Sequence, residues 1–514
     1  MKRTLKQISG WLAVALVGLS AAARAEVKPN PLFSDGAVLQ RGMRVPVWGT
    51  AGDGEKVTVA FQDQKVSTTA KDGRWLVRLK PLQAGGPFTM TVTGENTVEI
   101  KNLLVGEVWV CSGQSNMEWP MSLTYQAEQA VAAANDPMLR LFAVRHTIAD
   151  TPQTEVSGQW QECTPQTVAG FSAVAYFFGR DLRRALNVPV GLIKTAWGGT
   201  PAEAWTSHAT LENSPMLRAI LENYDKAKAD YALAARAYQE KLEQHKAAVE
   251  QAKQEGKEPP KAPEPPYNPE NQNRPSGLYN AMIAPLIPYA IRGAIWYQGE
   301  SNAGRAYEYQ ALFPAMIRNW RQDWKQGDFP FLFVQLAPFM QIKNEPTESA
   351  WAELREAQRL TTLTVPRTAM AVITDVGEEN DIHPRKKEPV GARLALAARA
   401  LAYHESLVSS GPTFDSLQIE GNRAILRFKN VGGGLVARGG NLTGFTIAGE
   451  DRKFVNAEAE IRGDTVVVHS PQVPHPVAVR YGWADYPVVN LWNQEGLPAS
   501  PFRTDTFPMI TGPK

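Results

Sequence analysis

Residues 103–118 read LLVGEVWVCSGQSNME. The first eight, Leu103–Val110, are largely apolar and β-branched, and they predict a buried strand. The residues that follow are polar and place Ser115 between Gln114 and Asn116. Two interpretations are open: a polar turn, or a strand end that presents Ser115 as a nucleophile. The second requires a base and an oxyanion site elsewhere in the chain.

The pattern around this stretch divides the chain into three parts. Residues 26–104 alternate short apolar runs with Gly, Asp and Pro turns, which predicts an antiparallel β domain. Residues 105–404 alternate apolar strands with helical periodicity, which predicts βα units and a largely parallel sheet. Residues 405–514 return to β-type runs and predict a β-rich module. The expected fold class is α/β with accessory antiparallel β domains.

A charged segment interrupts the α/β part at about residues 211–274. Its first portion is rich in Ala, Glu, Lys and Gln with charges at helix-surface spacing, and its second is rich in proline. The first predicts a helix and the second an extended run. The insertion could be a lid or a partner arm, but charge-laced helices are usually solvated surface, and we favour that interpretation.

The first 25 residues have the pattern of an export signal. A basic start is followed by an apolar run from Trp11 to Leu19 and by small residues that end at Ala25. This pattern predicts a secretory signal peptide cleaved after Ala25, because the apolar run is too short to span a bilayer comfortably. We therefore expect an exported protein, periplasmic or secreted, with no membrane attachment after cleavage.

Charge and cysteine content restrict the partners only partly. The chain has 54 Lys and Arg against 52 Asp and Glu, and four of the basic residues but no acid lie in the first 25. This balance argues against nucleic acid or an anionic membrane as a partner.

Cys111 and Cys163 could form one disulfide or remain buried thiols. The oligomeric state is not decided by the sequence.

Metal and nucleotide motifs are missing from the sequence. None of the seven histidines has H-x-x-x-H spacing with a nearby Glu, and no Cys-x-x-Cys pair exists. Neither a P-loop nor a G-x-G-x-x-G turn follows a predicted strand. The expected site therefore contains no metal and no cofactor.

A candidate base lies in a loop near the end of the α/β part. The strand-like run TAMAVITD is followed by Asp381, Ile382, His383 and Pro384. An Asp two residues before a His can bend back to the imidazole and fix its tautomer. The alternative is a solvent-exposed loop histidine with a helix starting nearby at a proline. The Asp-x-His motif alone does not decide between these two interpretations.

Two further strand ends carry groups suited to an oxyanion site. Gly198 and Gly199 follow the run VPVGLIKTAW, where paired glycines permit close backbone approach and free N–H donors. Gln298, Glu300 and Asn302 follow the strand-like run GAIWY. Ligands of open α/β sheets bind at the carboxyl ends of strands, so we expect these residues to share one crevice with the serine.

At this point the sequence resembles a known family. The blocks GEVWVCSGQSNMEWPM, WGGTPAEAW, GAIWYQGESN and DIHPRKKEPVGARLA are similar to those of the sialate O-acetylesterase family, a branch of the SGNH (GDSL-like) hydrolases. The resemblance implies a three-layer α/β/α hydrolase domain and a serine nucleophile that removes acetyl esters from sugars without metal. It also implies that relatives divide between sialic acids and plant polysaccharides such as acetylated xyloglucan or xylan.

The resemblance also assigns expected roles residue by residue. Ser115 matches the nucleophile, and Gly198 or Gly199 matches the block whose backbone N–H joins that of Ser115 in the oxyanion hole. Gln298 is most similar to the side-chain donor of the third block, with Asn302 as the second choice.

The histidine block matches the family less completely. His383 matches the base, but the wider superfamily places its acid three residues earlier, where this chain has Asn380. Asp381 is the expected acid at two residues before the histidine. Asp375 or a backbone carbonyl could orient the imidazole instead and leave a Ser-His dyad.

Other functions remain open at this stage. A non-catalytic carbohydrate-binding protein is the alternative of another class, and the intact Ser115 and His383 argue against it. A lipase-like α/β-hydrolase would need G-x-S-x-G, and the second glycine is missing here. Five aromatic residues near the blocks could stack on sugar rings or pack in the core: Trp119, Trp197, Trp205, Trp296 and Tyr297.

Overall fold

The computed structural model describes residues 26–513. The predicted signal peptide, residues 1–25, lies outside this range, so its assignment stays a prediction. Within the described range, no helix is both long enough and apolar enough to cross a membrane.

All but one of the amino-terminal strands pair antiparallel with one another, and residues 38–40 instead pair parallel with residues 104–106. The amino-terminal strands are β1 Lys28–Pro29, β2 Val38–Gln40, β3 Val45–Thr50, β4 Lys56–Phe61, β5 Gln64–Thr69, β6 Arg74–Leu79 and β7 Gly85–Thr93. Strand β3 pairs with β1 and β6, and β4 pairs with β5 and β7, all antiparallel. Alternate residues of β4 and β6 are buried, which is the pattern of strands with one face on a core.

A largely parallel sheet forms the centre of the molecule. Its strands are β8 Thr97–Gly113, β9 Asp136–Ala143, β10 Trp160–Cys163, β11 Val190–Lys194, β12 Gly293–Tyr297, β13 Phe331–Val334 and β14 Thr368–Ala371. The order is β10-β9-β11-β8-β12-β13-β14, and only β10 runs antiparallel to its neighbour. After β8 the chain adds strands on one side and then on the other. The carboxyl end of β8 is therefore a switch point, where such sheets form their ligand crevice.

Strand β8 connects the two kinds of sheet. Its first half pairs antiparallel with β7, and its second half lies parallel between β11 and β12. All residues from Leu103 to Gly113 are buried. The boundary expected between residues 104 and 105 thus falls inside one continuous strand.

Helices cover both faces of the central sheet. The α-helices of the described range are α1 Ser115–Glu118, α2 Ala127–Ala132, α3 Pro165–Val168, α4 Ala173–Leu186, α5 His208–Glu212, α6 Pro215–Gln254, α7 Ala306–Trp324, α8 Ala350–Thr364 and α9 Glu388–Tyr403. Short 3-10 helices occur at Met121–Leu123, Ala202–Trp205, Ala284–Leu286 and Glu300–Arg305, and a π-helical turn at Tyr279–Ile283.

Two hydrophobic cores separate the helices by sheet face. In β8, Val108 and Val110 belong to the core that includes α7 and α8, whereas Trp109 and Cys111 belong to the core that includes α4 and α9. Successive side chains of a strand point to opposite faces, so both faces of the sheet are buried. The architecture is an α/β fold with extra antiparallel sheets, as the sequence predicts.

The charged insertion is dominated by the 40-residue helix α6. Only Leu217 and Ile220 of this helix are buried, and both lie in its first two turns. Ion pairs between side chains three residues apart lie along its exposed length, such as the pair of Lys228 with Asp225 at 3.0 Å. The helix is therefore anchored at its base and exposed along most of its length.

The carboxyl-terminal part consists of short strands with a core of their own. They are β15 Thr413–Glu420, β16 Arg423–Lys429, β17 Leu435–Ala437, β18 Phe445–Ala448, β19 Val455–Asn456, β20 Glu458–Arg462, β21 Thr465–His469, β22 Ala478–Tyr481, β23 Leu491–Asn493 and β24 Phe502–Arg503. Buried Arg355 of α8 donates to the carbonyls of Ala484 and Asp485 at 2.7 and 2.8 Å. These hydrogen bonds attach the module to the α/β part.

Cys111 and Cys163 are free thiols, and both are buried. Burial raises the pKa of Cys111 well above its usual value and raises the pKa of Cys163 to about 12. Of the two alternatives left open by the sequence, the structure contains the buried thiols.

Candidate active site

The turn after β8 presents Ser115 at the carboxyl edge of the sheet. Gly113 has φ +140°, and a Cβ there would lie 2.1 Å from the carbonyl oxygen of Tyr297, so only glycine lets β8 and β12 close at this end. Helix α1 then begins with Ser115, which is partly exposed, while Asn116 and Met117 are buried. The turn therefore holds its serine outward and its two following side chains inward.

Ser115 has both a hydroxyl and a backbone donor available. Neither its Oγ nor its N–H is hydrogen bonded to any of residues 26–513. The preceding Gln114 is fixed, because its Oε1 accepts the backbone N–H groups of Gly299 and Ser301, each at 3.2 Å. The serine thus sits unengaged on a turn that its neighbours hold in place.

The two glycines after β11 lie directly beside Ser115. A Cβ on Gly198 would be 3.3 Å from the Cβ of Ser115. The N–H of Gly198 donates to Glu118 Oε2 at 2.7 Å, whereas the N–H of Gly199 has no acceptor in the described part of the chain. Gly199 also has φ +72°, which favours glycine. Of the two expected backbone donors, only that of Gly199 is free.

Gln298 and Asn302 lie behind the glycine turn. Both are buried, and Gln298 Nε2 donates to Asn302 Oδ1 at 2.6 Å and to the Thr200 carbonyl at 3.3 Å. Asn302 in turn accepts the backbone N–H of Ala202 at 2.9 Å. In this arrangement both amide hydrogens of Gln298 are engaged, and the pair supports the segment that follows the glycines. The role of oxyanion donor expected for Gln298 stays a prediction.

His383 is oriented by the nearby carboxylate of Asp381. Asp381 Oδ1 accepts the backbone N–H of His383 at 2.8 Å and lies 3.5 Å from its Nδ1. No residue in the described range contacts His383 Nε2 through a hydrogen bond. Asp375, the alternative acid, instead forms a two-pronged ion pair with Arg393 at 2.6 and 2.7 Å. Asp381 is therefore the acid beside the imidazole.

Two contacts join the turn that carries Ser115, the nucleophile turn of the proposal below, to the loop of Asp381 and His383, the histidine loop. The Trp119 ring stacks on His383 with centroids 5.1 Å apart, and Asn116 Nδ2 donates to the Ile382 carbonyl at 3.0 Å. Asn116 directly follows the serine, Trp119 follows the end of α1, and Ile382 directly precedes the histidine. The structure thus brings the turn that carries Ser115 and the loop that carries His383 together.

The surroundings of His383 favour its neutral form. Burial lowers its pKa, and so does the positive charge of Lys387, while Asp381 raises it by less. The pKa of His383 consequently lies below its ordinary value of 6.5. A neutral imidazole at neutral pH can accept a proton, as a general base must.

Glu118 and His146 are site residues that the sequence analysis missed. Glu118 Oε1 lies 3.2 Å from His146 Nε2, and the same nitrogen lies 3.0 Å from the Ala196 carbonyl. Burial raises the pKa of Glu118, but the hydrogen bond and charge of His146 and the N–H of Gly198 outweigh it, so the pKa lies below its usual value. Glu118 is one helical turn after the serine, a spacing that could have flagged it. His146 carries no such signal.

The aromatic residues near the blocks differ in exposure. Trp119 and Trp197 are partly exposed, whereas Trp205, Trp296 and Tyr297 are fully buried. Only the first two can face a ligand without rearrangement.

These groups together suit acyl transfer through a hydroxyl nucleophile. An unengaged serine hydroxyl, an acid-oriented histidine and two free backbone N–H groups meet at one sheet edge. Among residues 26–513, no three His, Cys, Asp or Glu side chains are grouped so that they could hold a metal ion.

Comparison with known proteins assigns the family. A family model described as carbohydrate esterase, sialic acid-specific acetylesterase, matches residues 105–253 and 269–400. The chain belongs to this family. The matched ranges contain every site residue described above, and the break between them falls on the end of α6 and the proline-rich run.

Mammalian relatives and one solved structure extend the likeness. The chain is 31% identical over 418 residues to a mouse sialate O-acetylesterase, with 74% of each chain covered. It is 30% identical over 417 residues to the human sialate O-acetylesterase, with 74% of this chain and 72% of that one covered. A carbohydrate acetylesterase from Xanthomonas citri matches with a TM-score of 0.80 and 40% identity, over 94% of this chain and all of the other.

Family membership fixes the class of reaction. A member of this carbohydrate esterase family is a carboxylic ester hydrolase, and the resemblance read from the sequence blocks is confirmed.

Proposed function

We propose that this esterase is an exported serine carbohydrate acetylesterase that hydrolyses O-acetyl esters on sugars, with acetylated sialic acids as its first candidate substrates. The mouse and human relatives are sialate O-acetylesterases, and the structural neighbour is a carbohydrate acetylesterase. The observation that carries the proposal is that an unengaged Ser115, the Gly198–Gly199 turn and the acid-oriented His383 meet at one edge of the sheet.

The proposed reaction proceeds through an acetyl-enzyme. His383 Nε2 takes the proton of Ser115 Oγ while the oxygen attacks the acetyl carbonyl, and Asp381 stabilises the imidazolium. The tetrahedral intermediate collapses, the sugar oxygen leaves with the proton from His383, and the acetyl group stays on Ser115. Water activated by His383 then releases acetate and restores the serine hydroxyl.

The oxyanion is held by backbone donors in this proposal. The N–H groups of Ser115 and Gly199 are free to donate, while Gly198 is engaged by Glu118. Gln298 and Asn302 support the glycine turn from behind, and Gln298 could donate to the oxyanion only after releasing one of its present acceptors. Backbone donors held in place before the reaction lower the barrier because they need no reorganisation.

The finer architecture and the compartment are part of the same proposal. Helices on both faces of a parallel sheet support a three-layer α/β/α SGNH domain for residues 105–404, flanked by the β modules of residues 26–104 and 405–514. The leader pattern of residues 1–25 supports export and cleavage after Ala25, to the periplasm or the exterior.

Acetate release from the purified protein tests the nucleophile. Ser115→Ala should lower the rate on a small acetyl ester by at least ~10³-fold, because the covalent route is lost. Ser122→Ala, an exposed serine seven residues later, is the matched control and should retain the wild-type rate. Equal rates for Ser115→Ala and the wild type would contradict the assignment.

A second assay separates the substrate classes. Acetate release is compared on 9-O-acetyl sialic acid and on acetylated xyloglucan and xylan oligosaccharides. Faster release from the sialic acid supports the first candidate, whereas faster release from the oligosaccharides assigns the enzyme to plant polysaccharides. No acetate from any ester with folded protein would overturn the catalytic proposal in favour of a carbohydrate-binding protein.

A further inference from the structure

A fully buried lysine lies directly behind the nucleophile turn. Lys387 precedes α9 in a run of three basic residues, but its two predecessors, Arg385 and Lys386, are exposed. Its ammonium donates to Asn116 Oδ1 and lies 5.5 Å from the ring centroids of both Trp119 and Tyr297. Burying an ammonium group costs free energy, which its hydrogen bond to Asn116 and the two aromatic rings partly offset.

The side-chain amide of Asn116 donates both of its hydrogens in hydrogen bonds. Its Nδ2 donates to Glu300 Oε1 at 2.6 Å and to the Ile382 carbonyl at 3.0 Å, while its Oδ1 accepts from Lys387. An ammonium can only donate, so the lysine fixes which end of the amide is the oxygen. That choice turns both N–H groups toward Glu300 and Ile382.

We propose that Lys387 is a positioning residue that holds the nucleophile turn and the histidine loop in register through the side chain of Asn116. Asn116 follows Ser115 in sequence, and the carbonyl it binds belongs to the residue before His383. This proposal rests on the proposed function, because it assumes that Ser115 and His383 react together.

The charge of Lys387 acts on the same pair. Lys387 faces Glu300 from the helix after β12 and Asp381 and Glu378 from the histidine loop, and His383 faces Lys387 and Asp381. Burial lowers the pKa of Lys387 to about 7, against the opposing effect of the three carboxyls. The positive charge of Lys387 lowers the pKa of His383, so the lysine charge opposes protonation of the proposed base. Removal of the charge should therefore raise the pKa of His383.

Glu300 belongs to the same buried network as Lys387 and Asn116. Burial raises the pKa of Glu300, and its Oε2 has no hydrogen-bond partner among the described residues. Glu300 Oε1 accepts from Asn116 Nδ2, so the carboxyl group and Lys387 bind opposite ends of the same amide.

The test compares Lys387→Met with Lys386→Met, which removes the same charge at an exposed neighbouring position. We expect Lys387→Met to lower kcat by at least about tenfold with KM within about twofold, as misaligned reacting groups do. The acid limb of kcat/KM should move up by on the order of one pH unit. Labelling of Ser115 by phenylmethylsulfonyl fluoride should slow in parallel, while Lys386→Met should match the wild type.

A double-mutant cycle tests the route through Asn116. If the lysine acts through that amide, the kcat loss of Lys387→Met with Asn116→Ala should be no larger than that of the more damaging single variant. Multiplying losses would overturn the proposed route. Should Lys387→Met fail to fold by circular dichroism, Asn116→Ala alone must show the lower kcat at unchanged KM, and wild-type kcat in it would also overturn the proposal.

Different results would contradict the proposed function and the proposed role of Lys387. A wild type without acetate release, or an active Ser115→Ala, would contradict the proposed function. The role of Lys387 alone would be contradicted by a different set of results. The wild type would be active, Ser115→Ala would be inactive, and Lys387→Met would match Lys386→Met in kcat and in the acid limb of kcat/KM.

Discussion

Two histidine–carboxylate pairs flank the turn that carries Ser115, and they are built in opposite ways. His383 and Asp381 belong to one loop and are two residues apart, with 3.5 Å between Nδ1 and Oδ1. His146 and Glu118 come from distant parts of the chain, with 3.2 Å between Nε2 and Oε1. The closer pair in space is thus the one that the sequence did not reveal.

The nitrogen that each carboxylate faces separates the two pairs. His146 Nε2 lies between Glu118 and the Ala196 carbonyl, so that nitrogen carries the proton and donates to fixed acceptors. His383 faces Asp381 through Nδ1 and leaves Nε2 without a hydrogen bond to any described residue. A histidine beside a carboxylate is therefore a candidate base only where its other nitrogen is open to the reacting group.

Replacing each histidine by alanine should give the largest difference in activity between the two pairs. We expect His383→Ala to lower kcat/KM for an acetyl ester by ~10³-fold or more, because the proposed base is lost. His146→Ala should lower it by no more than about tenfold, since it removes hydrogen bonds to Glu118 and Ala196 and the stacking on Trp197 but leaves the proposed base in place. Initial-rate assays on both folded variants measure the difference. A larger loss in His146→Ala would reverse the assignment of the base.

Asp381→Asn should have an intermediate effect with a distinctive pH signature. The Asp381 side chain is 47% exposed, so its charge is partly screened, and we expect kcat/KM to fall by about 10–100-fold rather than more. Asp381 raises the pKa of His383, so its neutralisation lowers that pKa and moves the acid limb of kcat/KM to lower pH. Lys387→Met should move the limb in the opposite direction.

The control for this variant is Asp375→Asn, which removes a carboxylate paired with Arg393. We expect its pH–rate profile to overlay that of the wild type. An acid limb that stays in place in Asp381→Asn, or that moves in Asp375→Asn instead, would show that Asp381 is not the acid that acts on the imidazole.

The sequence predicted the parts of the site that belong to single strand ends. Ser115, the glycine pair and His383 each follow a strand or strand-like run, and parallel strands present their carboxyl ends at one edge. Strands β8, β11, β12 and β14 were predicted because short apolar runs bounded by turns and polar residues are typical of buried strands. Strand β8 is longer than predicted because its polar first half pairs with β7, a contact that local pattern does not encode.

The remaining parts of the site depend on contacts between distant segments. Lys387 lies in a basic run that predicts solvent exposure, and only the packing around Asn116 buries it. The pairing of His146 with Glu118, and the engagement of both Gln298 hydrogens, are likewise tertiary facts. Residue type and spacing identify groups with suitable chemistry, but burial and hydrogen bonding decide which of them are free.

Glu118→Gln should give the smallest effect and sharpen the distinction between the two pairs. The carboxylate binds the Gly198 N–H with one oxygen and His146 with the other, and an amide offers only one acceptor. One of the two contacts is therefore lost, the glycine turn beside Ser115 is held less firmly, and we expect kcat to fall by about 3–10-fold.

The pH profile of Glu118→Gln separates positioning from proton transfer. The pKa of Glu118 lies below its usual value, and Glu118 is not among the charges that shift the pKa of His383. The acid limb should consequently stay where it is in the wild type while kcat falls. A displaced limb would mean that the pair of His146 and Glu118 takes part in the proton transfer, and the two pairs would then have to be treated as one coupled site.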